Sequence, residues 1–129
     1  MMENIRTRAM PLLAALLLSM VFAPAAVAHG GAQPKHGGIV QLASDLSFEL
    51  VARTDGATIH VQDHGKPAST AGMSGRLTVL NGAEKSEADL TPAGDRLEAK
   101  GIRLAKGAKV VAALQTASKK AITVRFTVR

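Results

Sequence analysis

Towards its end the chain reads Ile122-Thr123-Val124-Arg125-Phe126-Thr127-Val128-Arg129, with every second residue apolar and the others polar or charged. A period of two places the four apolar side chains on one face of an extended strand, whereas a helix would scatter them around its axis. The pattern recurs. Leu46, Phe48, Leu50 and Ala52 share a face, Ile59 and Val61 alternate with His60 and Gln62, and Leu77 and Val79 alternate with Arg76 and Thr78. In the alanine-rich stretch 108–116, Val110, Ala112 and Leu114 also alternate, so a strand is preferred there over a helix. Between these runs stand Thr54-Asp55-Gly56, Asp63-His64-Gly65-Lys66-Pro67, Asn81-Gly82, Thr91-Pro92-Ala93-Gly94-Asp95 and Ala105-Lys106-Gly107. Each supplies the positive φ or the fixed proline φ that a turn requires. About seven short strands at such spacing imply an all-β chain, a β-sandwich or small barrel, with a single small Ig-like β-sandwich preferred.

The amino terminus obeys different rules. Arg6 and Arg8 precede an almost wholly apolar run from Met10 to Val27, which closes on Ala26-Val27-Ala28. A positive start, a short apolar core and a small-x-small ending describe a secretory signal peptide. The strongly apolar part stops at Pro24, short of the roughly 20 residues that a membrane-spanning helix needs. Residues 1–28 are therefore expected to be removed, residues 29–38 to form a Gly/His-rich arm, and residues 39–129 to form the sandwich. Four of the arm's ten residues are glycine, so it is mobile unless something ties it down.

Removing Glu3, Arg6 and Arg8 with the leader lowers the net charge from +6 to +5. The remaining cations are dispersed, Trp and Tyr are absent, and Phe48 and Phe126 are the only aromatics after residue 28. Nucleic-acid binding normally uses a clustered basic stripe with stacking aromatics, so that class is set aside. The chain has no cysteine, which excludes disulfides, thiolate ligands and a cysteine nucleophile. Neither a serine-hydrolase elbow nor a phosphate-binding loop is present, and no organic cofactor is implied.

Histidine carries what chemistry there is. His29-Gly30-Gly31 and His36-Gly37-Gly38 lie seven residues apart. Neutral imidazole suits copper and zinc-like ions, and the adjacent glycines allow the backbone to fold closely around one. With cleavage after Ala28, the α-amine and imidazole of His29 form a chelating pair suited to Cu(II). His64 reads as a turn residue or a ligand. His60 lies opposite Ile59 and Val61 and should face solvent or a partner, and it approaches His64 if the strand end curls. Met73 is either a soft thioether ligand for Cu(I) or a core filler. Glu49, between Phe48 and Leu50, is expected on the solvent face; it and Asp45 read as solvated carboxylates in preference to ligands that complete a histidine site.

His36-Gly37-Gly38-Ile39-Val40, then Asp45-Leu46-Ser47-Phe48-Glu49-Leu50-Val51, then Ile59-His60-Val61-Gln62-Asp63-His64-Gly65-Lys66-Pro67 occur in that order. This layout resembles the amino-terminal β-sandwich module of some periplasmic adaptors of heavy-metal resistance efflux pumps. The resemblance implies a free-standing version of that module, with His36 as its motif histidine and efflux components as partners. The hairpin, lipoyl and barrel domains of those adaptors have no counterpart here.

Two functions follow as expectations. One is a non-enzymatic periplasmic protein that binds copper or zinc-like ions as a chaperone, buffer or accessory to metal efflux. The other is a metal-free Ig-like module that docks on another envelope protein through strand edges or its basic surface.

Overall fold

The structure, a computed structural model, describes residues 33–129. The expected signal peptide, His29 and the first part of the arm lie outside the described residues. The all-β expectation holds: the described residues contain no helix and 62% of them are in strands.

Nine strands follow one another: β1 (Ile39–Ala43), β2 (Leu46–Arg53), β3 (Gly56–Asp63), β4 (Lys66–Pro67), β5 (Ser74–Asn81), β6 (Glu84–Ala93), β7 (Arg96–Lys100), β8 (Lys109–Gln115) and β9 (Ala121–Thr127). They form one antiparallel sheet in the order β1-β2-β3-β7-β6-β5-β8-β9, with β4 paired to β3. The expectation of about seven strands in a sandwich gives way to a sheet nearly closed into a barrel. The reason lies in β6, which pairs with β5 through Glu84–Leu90 and with β7 through Thr91–Ala93. One strand changing partner midway joins what would otherwise be two layers.

Turns form in each of the expected segments, but Thr91–Ala93 and Lys66–Pro67 are strand residues, which confines those two turns to Gly94-Asp95 and His64-Gly65. Between β1 and β2, Ser44 and Asp45 take φ of 50° and 64°. Positive φ at both central residues is the mark of a type I′ hairpin, whose twist matches its strands. Thr54 and Asp55 form the next two-residue turn, with Arg53 opposite Gly56. That turn fixes the β2–β3 register and so sets Glu49 opposite His60.

Phe48, Ile59, Leu77 and Leu97 are fully buried inside the barrel, with Val79, Val110, Ala112 and Val124 beside them. Each large side chain withdrawn from water contributes roughly 1.5–3 kcal/mol. Without disulfides, this core holds the fold. β5, β8 and β9 bury one face only, as their alternation requires. β3 is the exception: Gly56 to Gln62 are all buried, so both of its faces are covered.

Candidate functional site

The outer face of β3 carries Thr58, His60 and Gln62, three polar residues at 5, 7 and 8% exposure. Polar side chains on the outside of a barrel are buried only if something lies over them. The Arg53 side chain reaches Thr58, and over His60 lies the arm, which bends back across β2 before β1 begins.

Glu49 holds it there. Its Oε1 accepts the backbone N–H of Lys35 at 2.9 Å, and its Oε2 accepts those of His36 and Gly38 at 2.8 Å each. A carboxylate cradled by successive backbone N–H groups is a strong, charge-assisted arrangement. Burial by itself pushes the Glu49 carboxyl up, but the three N–H bonds and the nearby His36 hold it below its ordinary value. The Lys35 ammonium adds a 2.8 Å bond to the carbonyl of Gly65, tying the arm to the β3–β4 turn.

The two glycines after His36 have distinct parts. Gly37 takes φ of 71°, a left-handed conformation that favours glycine. At Gly38 the need is for space, since a Cβ there would sit 2.3 Å from the carbonyl oxygen of Leu50. The pair therefore lets the arm press against β2.

So positioned, the His36 imidazole stacks on His60, ring centroids 3.6 Å apart and planes within 9°. His60 Nε2 is buried and has no hydrogen-bond partner among the described residues. Desolvation first, then the neighbouring His36, hold the His60 imidazole below its ordinary pKa, so it is kept neutral. A neutral imidazole with a free ring nitrogen has the chemistry of a metal ligand. Ring-nitrogen lone pairs lie in the ring plane, however, so two parallel stacked rings do not converge on one ion. Among the described residues no three His, Asp or Glu side chains gather closely enough to hold one either.

The other sequence candidates are dispersed. The His64 side chain is 85% exposed in the turn after β3, with Nδ1 2.5 Å from Asp63 Oδ1. His60 makes its ring contact with His36 rather than with His64. Met73 is 7% exposed within the core cluster, its filler role. His29 lies outside the described residues. Glu49, expected in solvent, is 5% exposed and is the residue that organises the site. The signal for it was present in the two-residue Thr54-Asp55 turn, which pairs Glu49 with His60 by simple counting.

Comparison with known protein families, curated proteins and solved structures finds no match to this chain.

Proposed function

We propose that this chain is an exported, periplasmic protein that binds a copper or zinc-like ion through His36 and His60, as a chaperone, buffer or accessory to metal efflux. One observation carries the reading: two imidazoles are held in contact by a dedicated carboxylate latch, and His60 keeps a buried Nε2 with no hydrogen-bond partner among the described residues. A buried polar atom without a partner costs stability, of order 1–3 kcal/mol, and a use of that atom in another state of the protein accounts for its retention. The donor set fits: imidazole ligates copper and zinc, and ligands must be neutral to do so.

The stacked arrangement is then the unloaded one. Loading requires the exposed His36 ring to turn and the arm to lift, which opens His60 Nε2. His29 lies seven residues before His36, so it reaches up to about 25 Å and is able to complete the set with its imidazole and α-amine. His64 belongs to the same end of β3 and serves as an outer contact at most. Kinship with the free-standing adaptor module is part of the proposal, its Ig-like sandwich corresponding to the two halves of the sheet that β6 joins. No catalytic step is assigned.

The test is native mass spectrometry of the exported form with Cu(II) and Zn(II), beside His36→Ala and His60→Ala. One retained ion in the parent, lost in each variant, supports the reading. Equal retention in all three removes His36 and His60 as ligands.

A further inference from the structure

Glu49 and His60 stand directly opposite one another in the β2–β3 ladder, on the outer face of the sheet. Cross-strand partners of this kind have Cβ atoms about 4.5–5.5 Å apart, a gap that one ion bonded at about 2 Å to each side chain spans. Two neighbours on that face are engaged elsewhere. Arg53 donates to the Thr58 hydroxyl, and Arg96, the partner of His60 on β7, is paired with Glu98. Glu49 and His60 are themselves buried, at 5% and 7% exposure, and the His60 Nε2 has no hydrogen-bond partner among the described residues.

What occupies the carboxylate is the arm. Glu49 Oε1 takes the N–H of Lys35 and Oε2 those of His36 and Gly38, so neither oxygen is free for an ion. The same three bonds hold the His36 ring over His60. Lifting the arm therefore does two things in one movement. It uncovers the buried Nε2, and it strips the carboxylate beside it of three donors. An anion that loses its donors in a sheltered position needs a replacement, and a cation is the strongest one available.

We infer that Glu49 is the third ligand of the ion, an inference that rests on the reading of His36 and His60 as the first two: the latch of the unloaded protein becomes a ligand of the loaded one. Ion and arm backbone compete for the same two oxygens, so binding and arm release are a single event. Two imidazoles and a carboxylate suit a divalent ion such as Zn(II), which takes His nitrogen and Glu oxygen, whereas Cu(I) favours soft sulfur ligands. The cargo is thereby narrowed to divalent ions.

The two roles of Glu49 make opposite demands on one variant. Were it a latch alone, its removal would free the arm and tighten Zn(II) binding, because the open state is then more populated. As a ligand, its removal weakens binding even though the arm is free. Isothermal titration of the exported protein with Zn(II) separates the two, using Gly38→Ala, which lifts the arm and keeps the carboxylate, Glu49→Gln, and the double variant. Circular dichroism checks that each retains the sheet. G38A should bind more tightly than the parent. E49Q should bind at least about tenfold more weakly than the parent, and the double variant at least about tenfold more weakly than G38A. Binding by E49Q as tight as that of G38A overturns the inference and leaves the histidine reading standing. Zn(II) binding to neither the parent nor G38A overturns both.

Discussion

His36 lies flat on His60, ring centroids 3.6 Å apart, although 24 residues separate them and neither strand pairing nor local geometry joins them. What joins them is Glu49. It sits opposite His60 in the β2–β3 ladder and, through the backbone of residues 35–38, fixes the arm that carries His36. The carboxylate has no direct part in the stack, yet the stack depends on it. Four consequences follow that can be measured.

Glu49→Gln keeps size and shape but removes the charge and one acceptor oxygen, leaving arm N–H groups short of a partner. Leaving such groups unsatisfied costs about 1–3 kcal/mol, more when the lost acceptor is charged. The loss should be local. Amide exchange at Lys35, His36 and Gly38 should accelerate and His60 should become accessible, while core amides around Ile59 and Leu77 keep their protection. Unchanged exchange at the three arm amides would show that something other than Glu49 holds the arm.

Gly38→Ala tests the close approach to β2. Its new methyl group would meet the Leu50 carbonyl at 2.3 Å and Val51 Cγ2 at 2.9 Å. Overpacking of this kind costs about 1–3 kcal/mol, and the readier response is for the arm to lift. The ring-current shifts that His36 and His60 impose on one another should disappear from the proton spectrum. Gly37→Ala, strained by a φ of 71° but with open space around it, should disturb the stack less.

Acid should weaken the protein in two stages. Both groups are held below their ordinary values, His60 below 6.5 by burial and by His36, against opposing pulls from Glu49 and Asp95, and Glu49 below 4.5. For such groups the unfolded chain binds more protons, so stability is complete above the ordinary value and falls as pH drops through the native one. Melting temperature should be level above about pH 6.5, decline below it as His60 must charge, and decline again below about 4.5 as Glu49 is protonated. His60→Leu should abolish the upper decline and keep the lower. An upper decline that survives in that variant assigns it to another histidine.

Much of the fold was legible because strands and turns declare themselves locally. The alternation through Ile122 to Val128 and the turn glycines at 56, 65, 82 and 107 mark where strands run and stop. Closure was not legible, since Thr91-Pro92-Ala93 reads as turn chemistry, yet these residues continue β6 and carry it from β5 to β7. β4, two residues long, gives no periodicity at all. At the site, imidazoles drew attention by type, while Glu49 looked like any solvated carboxylate between Phe48 and Leu50. Its burial comes from a segment arriving from outside the sheet, and alternation within one strand cannot report what lies on top of it. Glycine in an arm signals freedom by type, whereas Gly38 marks the place where two backbones nearly touch.

The most direct test of the metal reading follows the imidazole C–H resonances of the exported protein by NMR during a Zn(II) titration. The account predicts that His36 and His60 shift together, saturate at one equivalent and lose their mutual stacking shifts as the ion takes their nitrogens. It would be contradicted if both stayed unmoved while His64 alone responded, or if no histidine responded at all.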